Sequence, residues 1–292
     1  MSKRKILITG SNGQLGHSLN LFLKSKSFFL SNTSLNIGPY NLEGYNLSLE
    51  NKVSKLIKKY KPDFIINCAA FTNVDHCEKD KKNAYGSNVK IVKNILKCMS
   101  LECKLIHIST DYIFDGKNGS YTETSLPNPI NYYGKTKLEA ENCIRSSQKK
   151  YIIIRTGNLY SEYLDISSNR LCWILTNLKN KKEINAAVDM LSKPTSINAL
   201  SNTIIKLLPF NQNLIVNYSG QDKLSIYDFA KLVAKTFKYD QGLINKCSWK
   251  DLKFLAKRPE DVSLKTDLIS DLINCNIYET EYSLKIISNI IR

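Results

Sequence analysis

Histidine is scarce in this chain, and acidic residues are outnumbered. The three histidines stand at 17, 76 and 107, and no pair has the spacing of metal ligands. No bound metal is expected. Eight cysteines occur at 68, 77, 98, 103, 143, 172, 247 and 275, without a Cys-x-x-Cys. Most lie in apolar segments, as the reduced core cysteines of a cytoplasmic protein do. No apolar run reaches the roughly 18 residues that a spanning helix needs. The apolar stretch at the N-terminus is too short for a signal-peptide core and ends in a glycine turn, not a cleavage site. A cytoplasmic location, with no membrane partner, is expected. Asp and Glu number 26 against 42 Lys and Arg, a formal net charge of +16. That excess raises nucleic acid as a partner. The lysines, however, are spread along the chain: 55, 58, 59 and 61, then 79, 81 and 82, then 149 and 150, then 179, 181 and 182. There is no basic arm and no basic-aromatic repeat. The charge is therefore read as solvated helix faces, with no nucleic acid partner. It would still steer an anionic cofactor or a nucleotide-linked substrate.

With 292 residues, 42% of them apolar, the chain can bury a full core in one large domain or two unequal ones. Its most informative pair is Tyr133 and Lys137, in Pro-Asn-Pro-Ile-Asn-Tyr-Tyr-Gly-Lys-Thr-Lys. A helix brings residues i and i+4 onto one face. A phenol beside an ammonium can ionise below its usual pKa of about 10 and exchange a proton with a carbonyl or alcohol oxygen. Tyr132 is a poorer choice, because its i+4 neighbour is Thr136.

Lys5 to Thr9 is a short apolar strand. Gly10-Ser-Asn12-Gly13-Gln14-Leu15-Gly16 follows, and then a helical pattern with Leu15, Leu19, Phe22 and Leu23 on one side. Strand, glycine turn and helix in that order form the context in which backbone binds a pyrophosphate. The spacing Gly-x-x-Gly-x-x-Gly differs by one residue from the usual dinucleotide pattern. Residues 27–50 are hard to parse, with a short strand near Phe28–Leu30 or Ser34–Ile37. A helix is expected over Val53 to Tyr60. Pro62 to Ala70 reads as a buried strand ending in small residues, which would let backbone approach a ligand. A helix over Asn83 to Ser100, a strand within Lys104 to Phe114, the helix from Tyr132 to Ser146 and a strand from Tyr151 to Gly157 complete a βαβα alternation. That pattern predicts a Rossmann-type, doubly wound parallel sheet. Beyond about residue 160 the pattern changes. Helices are expected at Leu171–Leu178, Ile197–Leu208 and Phe229–Phe237, the last capped by Ser225 with Asp228 three residues on. A strand is expected at Leu214 to Tyr218. The division expected is 1–157 for an NAD(P)-binding domain and 158–292 for a mainly substrate-binding region whose segments return to the sheet.

Together these motifs resemble an extended short-chain dehydrogenase/reductase, and more closely the dTDP-4-dehydrorhamnose reductase family. The resemblance runs over nearly the whole chain in order. It is carried by Thr9 to Gly16, Asn67-Cys-Ala-Ala-Phe-Thr-Asn-Val-Asp75, Ser109-Thr-Asp-Tyr-Ile-Phe-Asp-Gly116, Pro129 to Lys137, Arg155-Thr156, Pro194-Thr195 and Arg258 to Leu264. It implies NADPH or NADH as cofactor and reduction of the C4 carbonyl of a nucleotide-linked 4-keto-6-deoxy sugar. Thr110 and Tyr133 would hydrogen-bond the carbonyl oxygen, and Tyr133 would protonate it. Lys137 would hold the ribose hydroxyls and lower the pKa of Tyr133. Gly10, Gly13 and Gly16 would cradle the pyrophosphate, Asn12, Gln14 and Leu15 of the same turn would also bind the cofactor, Ala69, Ala70 and Phe71 would line the cofactor groove, and Asn88 would help order a relay water near Lys137. Thr72, Asp111, Tyr112, Asn158 and Arg258 are implied on the substrate side. A homodimer is a possible assembly.

Some positions depart from the family pattern. Asn158 replaces an aromatic that would pack on substrate, and Asp189 to Thr195 also differs. Ser48 stands where many members carry an Asp near the adenosine, and Ser18 where some carry a Glu of a metal-bridged dimer. No clear acid follows the second strand and no Arg marks a 2′-phosphate, so both nicotinamide cofactors stay open. A dehydratase would place Thr-Asp-Glu where this chain has Thr110-Asp111-Tyr112. An epimerase could use the same Tyr, Lys and Thr. A non-catalytic binding or regulatory subunit could lose them, whereas this chain keeps all three.

Overall fold

The computed structural model describes residues 4–24, 29–33, 45–166 and 169–291. Six parallel strands form the central sheet: β1 (Lys5–Thr9), β2 (Phe29–Thr33), β3 (Phe64–Asn67), β4 (Lys104–Thr110), β5 (Lys150–Thr156) and β6 (Leu214–Asn217). Their order is β6-β5-β4-β3-β1-β2, and every pairing is parallel. This is the doubly wound sheet expected. The candidate at Phe28–Leu30 overlaps β2, while Ser34–Ile37 lies outside the described residues. β6 is the returning strand, paired with β5 at Leu214↔Ile152 through Asn217↔Arg155.

The strands alternate their apolar residues between two covered faces. Ile6, Ile8, Ile66, Ile106, Ile152 and Ile154 pack under α1 (Gln14–Lys24) and a helix at Ile197–Leu207. Leu7, Ile65, Leu105 and Ile153 face the opposite way, onto α2 (Glu50–Tyr60), α3 (Ile91–Cys98) and α4 (Tyr132–Arg145). The helix expected over 83–100 is interrupted: Gly86–Lys90 winds as one π-helical turn between Lys81–Tyr85 and α3. Such turns bulge a helix and commonly mark functional sites. A separate core joins α5 (Arg170–Lys179), a helix at Ile226–Phe237 and the last helix, Thr280–Ile291. Ser225 and Asp228 form the expected capping box.

The chain leaves β1 for β2 on one side and crosses back to β3 on the other. The topological switch point therefore lies at the carboxyl ends of β1 and β3, where such sheets form their binding crevice.

Candidate active site

A cavity of about 440 Å³ opens at that switch point, within the range of small-ligand sites. One wall is the glycine turn. Gly10 has φ +69°, a left-handed backbone, and a Cβ there would lie 2.7 Å from Ala69 N. The β1 turn thus touches the end of β3, and only glycine permits both the backbone and the approach. Gly13 N donates to Gly10 O at 3.0 Å, closing the turn into α1. A Cβ on Gly16 would meet Gly10 O at 2.3 Å, so the helix start lies directly on the turn. A helix N-terminus with bare backbone beside an open cavity is suited to a pyrophosphate.

The facing wall comes from β4 and α4. Thr110 ends β4 and caps a short turn at Asp111–Ile113: its hydroxyl accepts from Tyr112 N at 3.2 Å and donates to Asp111 Oδ1 at 3.0 Å. Asn131 caps α4, its Oδ1 accepting from Gly134 N at 2.9 Å. That start aims Tyr133 and Lys137 into the cavity beside Thr110. Tyr132 points elsewhere. Its backbone N–H donates to Glu78 Oε1 at 2.7 Å, and Lys81 lies over its ring. Tyr112 meets Tyr133 edge-on, with ring centroids 6.0 Å apart.

The electrostatics correct one expectation. Burial pushes the Tyr133 phenol up rather than down, and the Thr110 hydroxyl partly offsets this. The physical reason is the loss of water around the phenol. Lys137, 2% exposed, donates from Nζ to Ile108 O at 2.6 Å, and its own desolvation draws its pKa down to about 8. Asp111 is raised to about 7 by burial, against the Thr110 hydrogen bond. Gly157 leaves room for that carboxyl: a Cβ there would lie 1.8 Å from Asp111 Oδ2.

Of the expected site residues, Gly10, Gly13, Gln14, Leu15, Gly16, Ala70, Thr72, Thr110, Asp111, Tyr112, Tyr133, Lys137 and Asn158 line this one cavity. Asn12, Ala69, Phe71, Asn88 and Arg258 do not. Asn12 stays in the turn, and Ala69 backs Gly10. Asn88 lies in the π turn, 1% exposed, and clamps Phe71: its Oδ1 accepts from Phe71 N at 2.7 Å, and its Nδ2 donates to Phe71 O and to Thr136 Oγ1. Arg258 pairs with Asp75 at 3.1 Å and stacks over Phe254, while the neighbouring Pro259 reaches the cavity. Gln14 lines the cavity but also accepts from Ser161 Oγ at 2.9 Å. Asn158 has φ +50° and donates to Ser192 Oγ at 3.0 Å. A bulky aromatic is poorly suited to that left-handed backbone, whereas Asn tolerates it. Ser18 is fully buried against Asn198 and Ser201 of the helix at 197–207, and Ser48 bonds Asn46. No group of three or more potential metal ligands occurs among the described residues.

Sequence reasoning missed the layer beneath. Glu141, 0% exposed, takes Arg155 Nη2 at 2.8 Å and Ser109 Oγ at 2.5 Å. His107, also fully buried, lies 3.4 Å from Lys137 Nζ. Arg170 lines the cavity near Asp111 and Tyr112. One signal was available: Glu141 is four residues beyond Lys137, on the same stripe as Tyr133.

The family model described as RmlD substrate binding domain matches residues 4–291. A dTDP-4-dehydrorhamnose reductase of Aggregatibacter actinomycetemcomitans is 29% identical over 297 aligned positions, covering 96% of this chain and 97% of that protein. The crystal structure of dTDP-4-dehydrorhamnose reductase from Bacillus anthracis str. Ames in complex with NADP superposes with a TM-score of 0.90 at 27% identity, covering 98% of this chain and 99% of that one. A dTDP-4-dehydrorhamnose reductase ortholog from Clostridium acetobutylicum gives 0.89 at 31% identity, with the same coverage. With the family model spanning nearly every residue and the glycine turn, Thr110, Tyr133 and Lys137 meeting at one cavity, the chain belongs to the dTDP-4-dehydrorhamnose reductase family of the extended short-chain dehydrogenases/reductases.

Proposed function

We propose that the protein is an NADPH- or NADH-dependent reductase of the C4 keto group of a nucleotide-linked 4-keto-6-deoxy sugar. The substrate of this reading is dTDP-4-dehydrorhamnose and the product dTDP-rhamnose, a precursor for surface polysaccharide made in the cytoplasm. The observation that carries it is the convergence of Thr110, Tyr133 and Lys137 on a cavity whose other wall is the glycine turn. The relatives' names and the NADP of the B. anthracis structure support the substrate and cofactor classes.

The residues fit a dinucleotide. The bare backbone of Gly10, Gly13 and Gly16 would hold the pyrophosphate, and Lys137 the ribose hydroxyls. When bound, the nicotinamide supplies a hydride to the carbonyl carbon. Negative charge then develops on the carbonyl oxygen. Thr110 and Tyr133, both on the cavity wall, would supply the hydroxyls that meet it. Tyr133, held protonated by burial, gives its proton to that oxygen and so acts as an acid. Ala70 would line the cofactor groove, and Thr72, Asp111, Tyr112 and Asn158, on the same cavity wall, would bound the sugar side. Asn88 and Arg258 act from behind: Asn88 fixes Phe71, and Arg258 braces the segment that carries Pro259.

The division into a cofactor region at 1–157 and a mainly substrate-binding region at 158–292 belongs to the same reading. So does a homodimer, formed through a surface that does not use the buried Ser18. A second reading, a reductase or epimerase acting on another nucleotide sugar, is favoured by Asn158 alone. Oxidation of NADPH, and separately of NADH, on adding dTDP-4-keto-6-deoxy sugar tests both. The keto sugar is offered with and without the 3,5-epimerase that normally supplies this step. Epimerase-dependent oxidation supports the reading and identifies the preferred cofactor. Bound cofactor without oxidation removes this substrate, and NAD retained through purification points to an epimerase.

A further inference from the structure

A polar row crosses the carboxyl end of the sheet below the cavity, and the chemistry above makes no use of it. Strand register sets Thr9, Asn67 and His107 side by side on β1, β3 and β4. All three are buried. Thr9 Oγ1 donates to Asn67 Oδ1 at 2.5 Å, Asn67 Nδ2 lies 3.0 Å from His107 Nδ1, and His107 Nε2 lies 3.4 Å from Lys137 Nζ.

Donor counting gives the His107 ring two arrangements in which both of its nitrogens are paired. An amide nitrogen only donates. With Asn67 Nδ2 facing the ring, His107 Nδ1 must accept, and the neutral ring carries its hydrogen on Nε2. That N–H faces Lys137 and finds an acceptor only when Lys137 is a neutral amine. A half-turn of the Asn67 amide gives the other arrangement. The amide nitrogen then donates to Thr9 Oγ1, the amide oxygen accepts from His107 Nδ1–H, and the bare Nε2 accepts from the Lys137 ammonium. His107 is neutral in both. The two arrangements differ by one proton on Lys137 and by which ring nitrogen bears the hydrogen.

We propose that His107 and Asn67 form a two-state partner for Lys137, in which a neutral imidazole changes tautomer as Lys137 gains or loses a proton. This rests on the reading of Lys137 as a working residue of the reductase. His107 acts through Lys137 and is a positioning residue. The proton balance is simple. The Tyr133 O–H bond breaks as the product O–H bond forms. A proton released from Lys137 into the cavity restores the phenol, and Lys137 takes one from water. Neither state of Lys137 leaves a buried ring nitrogen unpaired, which is the condition for cheap exchange in a buried site.

The other groups facing Lys137 do not take over this part. Glu141 is engaged by Arg155 and Ser109. The Cys68 thiol, pushed up to about 12 by burial, stays neutral. Tyr133 is raised, and Asp111 acts on it rather than on Lys137. Burial holds His107 well below its ordinary range, so the ring does not charge.

Nitrogen-15 NMR of the imidazoles in the whole protein, without added cofactor, tests the proposal from about pH 6 to about pH 10. Only three histidines are present, so loss of a signal in His107→Gln identifies the ring. His107 should remain neutral while its hydrogen passes from Nδ1 to Nε2 near pH 8, where Lys137 titrates. In Lys137→Met the tautomer should not change with pH. A single tautomer throughout in the wild type, or an imidazolium forming near about 6.5, overturns the proposal. In turnover, His107→Phe removes the acceptor of the ammonium. The limb of the pH profile that reports Lys137 should move down by about one unit, since hydrogen bonds to charged groups are the stronger kind. His107→Gln, which keeps a donor and an acceptor, should restore most of the shift. An unmoved limb in His107→Phe overturns the proposal as well. If the wild type does not reduce the keto sugar, the functional reading fails, and the tautomer result still decides the proposal by itself.

Discussion

Tyr132 and Tyr133 are adjacent phenols with opposite surroundings. One lies under Lys81 away from the cavity, and the other faces Thr110. Replacing Tyr133 by Phe removes only the transferable proton. Turnover should fall by roughly 10²–10⁴, the usual share of general acid catalysis, with cofactor affinity unchanged in a fluorescence titration. Tyr132→Phe should leave turnover nearly intact. Asp111 carries a pH signature. Its folded pKa of about 7 lies above the ordinary 3.8, so the folded state holds a proton that the unfolded chain has already released. Its contribution to stability is full below pH 3.8 and is lost as pH rises through about 7. Asp111→Asn should therefore raise the melting temperature relative to wild type at pH 8, and that gain should vanish near pH 4. An equal gain at both pH values would contradict the assignment. Much of the residue-level site was legible in the sequence, because i and i+4 spacing is a local geometric fact. The ammonium's direction was not. It depends on Ile108 O and His107, which reach Lys137 only through the packing of α4 on β4.

At the scale of the element, the short hinge between β1 and α1 is the most constrained. Gly10→Ala adds a Cβ onto the backbone of Ala69 at a left-handed φ. Cofactor affinity should fall by at least about tenfold, with a clear loss of stability, read by titration and denaturant unfolding. Below the site, Glu141 and Arg155 are 0% and 2% exposed in their side chains. Arg155→Met leaves a buried carboxylate without its partner and should lower stability by roughly 3–5 kcal/mol. The double change with Glu141→Leu should recover much of it, because an apolar pair of similar bulk avoids the stranded charge. Recovery of nothing would mean that Arg155 acts through its stacking on Phe114 instead. The strands were readable because both sheet faces are covered, so their runs are apolar almost throughout. The π turn at Gly86–Lys90 was not readable. It is held by Asn88 reaching Phe71, a contact between residues 17 apart that no local periodicity encodes.

Across the whole molecule, the formal charge of +16 is a long-range property. It should speed capture of a doubly charged sugar nucleotide, so kcat/KM should drop by about tenfold as ionic strength rises through the physiological range, with kcat little changed. Equal salt dependence of kcat and kcat/KM would argue against steering. The C-terminal part was the least legible in the sequence. Its core is assembled from short strands such as Ile184–Ala187 and Ile244–Cys247, which pair across 60 residues, and from three helices far apart in the chain, Arg170–Lys179, Ile226–Phe237 and Thr280–Ile291. In the proposed reaction one residue would give a proton, one turn would hold the cofactor, and one switch point brings them together. The most direct test of that reaction is deuteride transfer. The protein is supplied with cofactor deuterated at the transferable position of the nicotinamide and with the keto sugar nucleotide, and the product is read by NMR and mass spectrometry. The expected result is one deuterium bonded to C4 of the sugar. Product without deuterium, or deuterium at any other carbon, would contradict the proposed reaction.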